Sequence, residues 1–137
     1  MSNPEILLAE NGFYAATVHG DSMVPLLQNH RDTVFIEPVN TLRKRDVVLY
    51  RRPNGQLVLH RLLARHGDTC TVCGDNDFVR ETIAVSQILG VMTAFTRKGH
   101  TMYTTAWIYR VYSRLWTLSF PTKRLFLKLY RLGRRWR

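Results

Sequence analysis

The sequence predicts a mainly β protein: a compact antiparallel β domain over residues 1–99, then a basic amphipathic helical tail over residues 100–137. Three observations carry that prediction. Between residues 13 and 95, short β-like runs alternate with turn residues and no 3.6-residue period persists. After Gly99 the period becomes helical. The charge divides at the same place: residues 1–96 hold nine Lys/Arg and all ten Asp/Glu, whereas residues 97–137 hold the other eleven Lys/Arg and no acid.

The first run is Phe13 to Val18 and the second Thr33 to Ile36. Asp46 to Arg51 follows a polar, basic turn. Pro53-Asn54-Gly55 then marks a hairpin, because the proline presets one torsion and Asn-Gly tolerates positive φ. Gln56 to Ala64, Thr69 to Cys73 and Ile88 to Phe95 complete the set. In the tail, Trp107, Ile108, Val111, Tyr112, Leu115 and Trp116 recur at helical spacing, with Arg110 and Arg114 on the remaining face. Pro121 ends that helix or opens a second at its first turn. In the second, Leu125, Phe126, Leu129 and Leu132 face one way, and Lys123, Arg124, Lys128, Arg131 and Arg135 the other.

Composition narrows the function classes. At 137 residues, 45% hydrophobic and 22% charged, the chain is long enough for one globular core and is not of disordered type. The longest charge-free stretch, Thr82 to Thr96 with its polar interruptions, falls short of the about 20 apolar residues a membrane helix needs. Met1 to Glu5 shows no basic region followed by an apolar run, so no signal peptide is expected. A cytoplasmic protein with no transmembrane helix is expected. The basic tail adds an anionic partner. Its period puts apolar and basic residues on opposite faces, and Trp107, Trp116 and Trp136 suit the headgroup boundary. Residues 104–136 are therefore read as a peripheral anchor on an anionic membrane surface, and single-stranded nucleic acid as the less favoured partner.

Cys70 and Cys73 form a single Cys-x-x-Cys, which alone cannot supply the four ligands of a structural zinc site. His60 and His66 lie close in sequence and leave a Cys/His site open, but a strand would send the two cysteines to opposite faces. No metal and no cofactor is expected.

Three short segments carry candidate chemistry. In Gly20-Asp21-Ser22-Met23-Val24-Pro25, a glycine and a proline frame a turn that can expose the Ser22 hydroxyl beside a backbone N–H. A nucleophile with an oxyanion donor needs that arrangement, although a serine in such a turn is by itself ordinary. In Leu57-Val58-Leu59-His60-Arg61-Leu62, one imidazole interrupts an apolar strand. It reads either as a buried histidine bonded to a backbone carbonyl or as a general base for Ser22. In Gly74-Asp75-Asn76-Asp77, an acidic turn could supply the carboxylate that orients the imidazole.

These segments occur in order, with Arg45-Asp46-Val47-Val48 and Ile88-Leu89-Gly90-Val91 at matching places. Together they resemble the signal peptidase I and SOS-repressor autopeptidase superfamily over roughly residues 13–95. The resemblance implies a coiled β fold, a nucleophile at Ser22 with its own N–H as oxyanion donor, and substrate contacts at Met23 and Pro25. The base is lysine in the usual bacterial members and histidine in the archaeal and endoplasmic-reticulum type, so His60 in its Leu-His-Arg context is closest to the Ser–His branch. Asp75 best matches the acidic partner, with Asp77 and Glu81 as alternatives. Only 21 residues precede Ser22, so the family's membrane anchor before the serine is missing, and Gly20 stands where many signal peptidases carry an extra serine. The reading is a serine endopeptidase acting on a leader- or signal-type peptide in a precursor protein. Its rival is a catalytically inactive peptide-binding or regulatory protein with a lipid- or nucleic-acid-binding tail.

Overall fold

The computed structural model describes residues 4–20, 22–77, 79–118 and 120–135. Asp21 and Trp136 lie outside the described residues, as do the side chains of Lys123, Phe126 and Arg135.

Eight antiparallel strands form one curled sheet, a half-barrel: β1 (Tyr14–Thr17), β2 (Thr33–Glu37), β3 (Val47–Arg51), β4 (Leu57–His66), β5 (Thr69–Cys73), β6 (Glu81–Ala84), β7 (Ile88–Arg97) and β8 (His100–Tyr103). Their spatial order is β1-β2-β7-β3-β4-β5-β6, with β8 also paired to β7. The six expected runs are all strands. β6 and β8 are additions of four residues each, too short for alternation to mark them. The Pro53-Asn54-Gly55 turn joins β3 to β4: Gly55 has φ 90°, and the Asn54 side chain accepts from the Gln56 N–H at 2.9 Å.

Curling gives the sheet two cores. Val47 and Leu49 enter one with Ile36, Met23, Leu27 and Phe95. Val48 and Tyr50 enter the other with Val58, Leu62, Val72 and Ile83. Successive residues of β3 point to opposite faces, and β3 is buried on both, which explains its unbroken apolar run.

Among the described residues there are three α-helices: α1 (Pro4–Asn11), α2 (Trp107–Leu118) and α3 (Phe120–Arg135). Pro4 opens α1 where a missing N–H costs nothing, and Gly12, at φ 77°, closes it by donating to the Leu8 carbonyl at 3.0 Å. Pro121 sits in the first turn of α3, one of its two expected places. No helix among the described residues is long and apolar enough to cross a membrane.

Two expectations about the tail need revising. The boundary at residue 99 falls inside the β7–β8 hairpin, so the sheet runs on to Tyr103. The apolar side of α2 is also two surfaces rather than one. Tyr109, Ser113 and Trp116 are buried against the β domain, while Trp107, Ile108, Val111 and Leu115 are exposed. Burial selects the residues whose polar atoms the interior needs.

Candidate active site

Ser22 lies in the loop from β1 to β2, whose base is closed by two backbone bonds. Val18 N–H donates to the Asp32 carbonyl at 2.8 Å and His30 N–H to the Val18 carbonyl at 2.7 Å. The fully buried Asp32 accepts the Gln28 N–H at 2.8 Å and pairs with Arg31, so its charge is compensated. Gly20 takes φ 93°, a conformation L side chains rarely adopt, just before Ser22.

A second loop, after β5, clamps the first. Asn76 N–H donates to the Ser22 carbonyl at 2.9 Å, and Asp77 N–H folds back to the Gly74 carbonyl at 3.0 Å. Gly74 permits this approach: a Cβ there would lie 2.5 Å from the Ser22 carbonyl oxygen and 2.7 Å from the Asp77 carboxylate. The Gly-Asp-Asn signal in the sequence is thus a close backbone contact around Ser22.

Ser22, His60 and Asp77 line one cleft of about 410 Å³, together with Arg52 and with Tyr14 and His19 on or just after β1. β1 is an edge strand, paired only with β2 among the described strands. His60, on β4, is buried, and that burial holds its pKa below the ordinary histidine value although the Asp77 and Glu81 charges oppose the shift. The imidazole is therefore neutral at pH 7. Its Nε2 lies 3.8 Å from the Asp77 carboxylate, and its Nδ1 is 3.1 Å from the Tyr50 hydroxyl. The Glu81 carboxylate lies nearby, held by Arg52 at 2.7 and 3.1 Å. The Tyr50 hydroxyl can donate to an unprotonated Nδ1 or accept from Nδ1–H, and only the second arrangement leaves Nε2 free to take a proton. A general base at Nε2 needs the tautomer in which Nδ1–H donates to the Tyr50 hydroxyl.

Asp75 does not take the place expected of it beside His60. Arg61 donates from Nε and Nη2 to its two carboxylate oxygens at 2.7 and 2.8 Å, and Tyr112 adds a third bond at 2.7 Å. Trp116 donates to the Asp75 carbonyl at 2.7 Å. Parity explains the difference: His60 and Arg61 are consecutive on β4 and point to opposite faces, and Asp75 lies on the Arg61 side. The turn returns Asp77 to the His60 side, and the Asp77 and Glu81 charges oppose the lowering of the His60 pKa more than Asp75 does.

The expected substrate contacts also differ. Met23 borders the cleft but is a core residue, with its sulfur accepting the Asp75 N–H at 3.5 Å. Pro25 lines a separate cavity beside α2. Cys70 is buried among Val72 and Ile83, where burial raises its thiol pKa, and the Cys73 thiol donates to the Gly74 and Asp77 carbonyls.

The Peptidase S24-like family matches the chain over residues 1–93, a span that includes Ser22, His60, Tyr50, Asp77 and Glu81. No curated protein matches it.

Proposed function

We propose that this chain, which belongs to the Peptidase S24-like family, is a serine endopeptidase using Ser22 as nucleophile and His60 as base on an extended leader- or signal-type peptide. The observation that carries the reading is the shared cleft: Ser22 borders it with a buried imidazole whose lowered pKa leaves it neutral and able to take a proton at pH 7. Among the described lining residues there is an arginine, Arg52, but no lysine to serve as an alternative base.

The peptide would pair with the edge of β1, which leads directly to the Ser22 loop. Ser22 Oγ then attacks the scissile carbonyl carbon as its proton passes to His60 Nε2. The Ser22 N–H faces the developing oxyanion. Collapse of the tetrahedral intermediate breaks the C–N bond, and the imidazolium returns the proton to the leaving amine. A water, deprotonated by His60, hydrolyses the acyl-enzyme and restores Ser22. Asp77 at 3.8 Å and the nearby Glu81 charge stabilise the imidazolium formed at each step.

The direct test is a fluorophosphonate probe on the full chain, with the adduct mapped by mass spectrometry. Labelling at Ser22 that disappears in His60→Ala supports the assignment. Labelling that survives in His60→Ala but is lost in His19→Ala would move the base to His19. A chain that binds extended peptides without labelling or cleavage would be the inactive peptide-binding protein.

The base also sets the pH profile. Because burial holds the His60 pKa below 6.5, kcat/KM should be flat near neutrality and fall only as pH drops through that lowered value. An activity limb above pH 8 would point to a different base.

Tyr50 supplies a further test. Tyr50→Phe keeps the ring and removes the acceptor for Nδ1–H, so the imidazole can adopt the wrong tautomer. The expected result is a fall in kcat of about tenfold or more with little change in KM, short of the roughly 10²- to 10⁴-fold contribution of the base itself. Unchanged kcat would show that Tyr50 does not hold the tautomer.

A further inference from the structure

Seven of the exposed large apolar residues outside the cleft lie on α2 and α3. On α2, Trp107, Ile108, Val111 and Leu115 face solvent, and on α3 Leu125, Leu129 and Leu132 do so, with exposures from 42 to 73%. Their spacing of three and four residues makes a stripe on each helix. The opposite side of α2 is occupied by Tyr109, Ser113 and Trp116, and that of α3 by Leu127, all buried. The stripes are therefore left over after the helices have packed. Exposed Arg110 and Arg114 border the stripe on α2, and exposed Lys128 that on α3.

A helix face exposed to water alone would carry charge where these helices carry leucine, isoleucine and valine. A nucleic-acid groove would interleave cations with stacking aromatics, whereas Trp107 is the only aromatic among these seven exposed residues. Aliphatic side chains bordered by cations match the boundary between acyl chains and anionic headgroups, and Trp107, at the start of α2, is of the type enriched there. The chain after residue 96 holds eleven Lys/Arg and no acid to repel such a surface. An apolar cavity of about 410 Å³ adjoins the α2 stripe through Ile108 and is walled by Leu26, Phe95, Met102 and Tyr112, with Lys98 and His100 also on its lining.

We propose that α2 and α3 seat this protein on the surface of an anionic lipid bilayer. The exposed stripes enter the headgroup boundary and the arginines and lysines beside them meet the lipid phosphates. This inference stands apart from the peptidase reading, but it has a consequence for it. Tyr130 and Arg131 of α3 bond Gln28 and Asn76, and Tyr112 and Trp116 of α2 bond Asp75. The seated helices therefore touch both loops that frame Ser22.

The test uses the full chain and vesicles of phosphatidylglycerol with phosphatidylcholine, compared with phosphatidylcholine alone, in a co-sedimentation assay. Binding should require the anionic lipid and weaken from 0.1 to 1 M salt, as the Debye length shrinks from about 10 to about 3 Å. Val111→Glu with Leu129→Glu should weaken it by about tenfold or more, since each change removes an apolar side chain from the seat and adds a repelled charge. Arg114→Gln should weaken it by about fivefold. All variants should melt like the parent, because the altered side chains are exposed. Three results would each overturn the proposal: no binding to anionic vesicles, parent-like binding by the Val111/Leu129 variant, or tighter binding to oligothymidylate than to vesicles in the same salt. None depends on Ser22, so loss of peptidase activity and loss of lipid binding are read separately.

Discussion

Replacing Ser22 by alanine should abolish peptide cleavage, with kcat falling by several orders of magnitude, on the order of 10⁴- to 10⁶-fold as for other activated serines. The substitution removes one oxygen from a part-buried turn. The backbone bond that fixes the loop, from Asn76 N–H to the Ser22 carbonyl, is untouched, as is the closure of the loop at Val18 and His30. The variant should therefore melt at the parent temperature and bind an extended peptide with a similar dissociation constant, because pairing with β1 does not use the hydroxyl. Loss of kcat without loss of binding or stability is the signature of an interaction made only in the transition state. Cleavage by Ser22→Ala at the parent rate would remove Ser22 from the mechanism and leave the cleft as a peptide-binding groove.

The parts of this site that the sequence made visible are those expressed locally. Alternation between turn residues marks six of the eight strands. The Gly-Asp-Ser-Met, Leu-His-Arg and Gly-Asp-Asn segments are short stretches in which residue type and order are informative. The Tyr50 contact with His60 is written across strands. It could be read only by pairing β3 with β4 around Asn54-Gly55, which sets Tyr50 opposite Val58 and Val48 opposite His60. Tyr50 is then a diagonal neighbour of His60 on the same face, within reach of a long aromatic side chain. Asp75 departs from the sequence expectation for the converse reason: its place in the Gly-Asp-Asn motif carries no information on strand parity, which sends Arg61 and its carboxylate partner away from His60. On α2, hydrophobicity grouped Tyr112 and Trp116 with Trp107. The interior selects them for a hydroxyl and an indole N–H that meet Asp75, and leaves Trp107, Ile108, Val111 and Leu115 outside. Helix α1 escaped notice because eight residues give barely two turns over which a 3.6-residue period can show.

Asp75→Ala should be the most destabilising single change in this chain, and it separates the two roles that Asp75 could have. Its carboxylate and the Arg61 guanidinium are each about 1% exposed. Burial alone disfavours the arginine charge, but the Asp75 charge and hydrogen bonds outweigh that effect and keep the guanidinium protonated. Arg61 also donates to the Arg45 carbonyl at 2.9 Å and to the Tyr109 hydroxyl at 3.2 Å, and lies over the rings of Tyr109 and Tyr112. Removing the carboxylate leaves a buried, uncompensated cation and frees the Tyr112 hydroxyl, a loss of about 3–5 kcal/mol. For a domain of this size that is a large part of the usual 5–15 kcal/mol of stability and a fall in melting temperature of roughly 10–20 °C. Because the pair joins β4 to α2, the helix should loosen with it, seen as faster amide exchange at Tyr109 to Trp116. Arg61→Met combined with Asp75→Leu removes both charges and should recover much of the loss, since a buried pair replaced as a unit by apolar residues is often neutral. A carboxylate that orients His60 would behave in the opposite way: Asp75→Ala would keep its melting temperature and lose kcat. Measuring the two together, with kcat taken well below the variant's melting temperature, decides between a structural clamp and a catalytic acid.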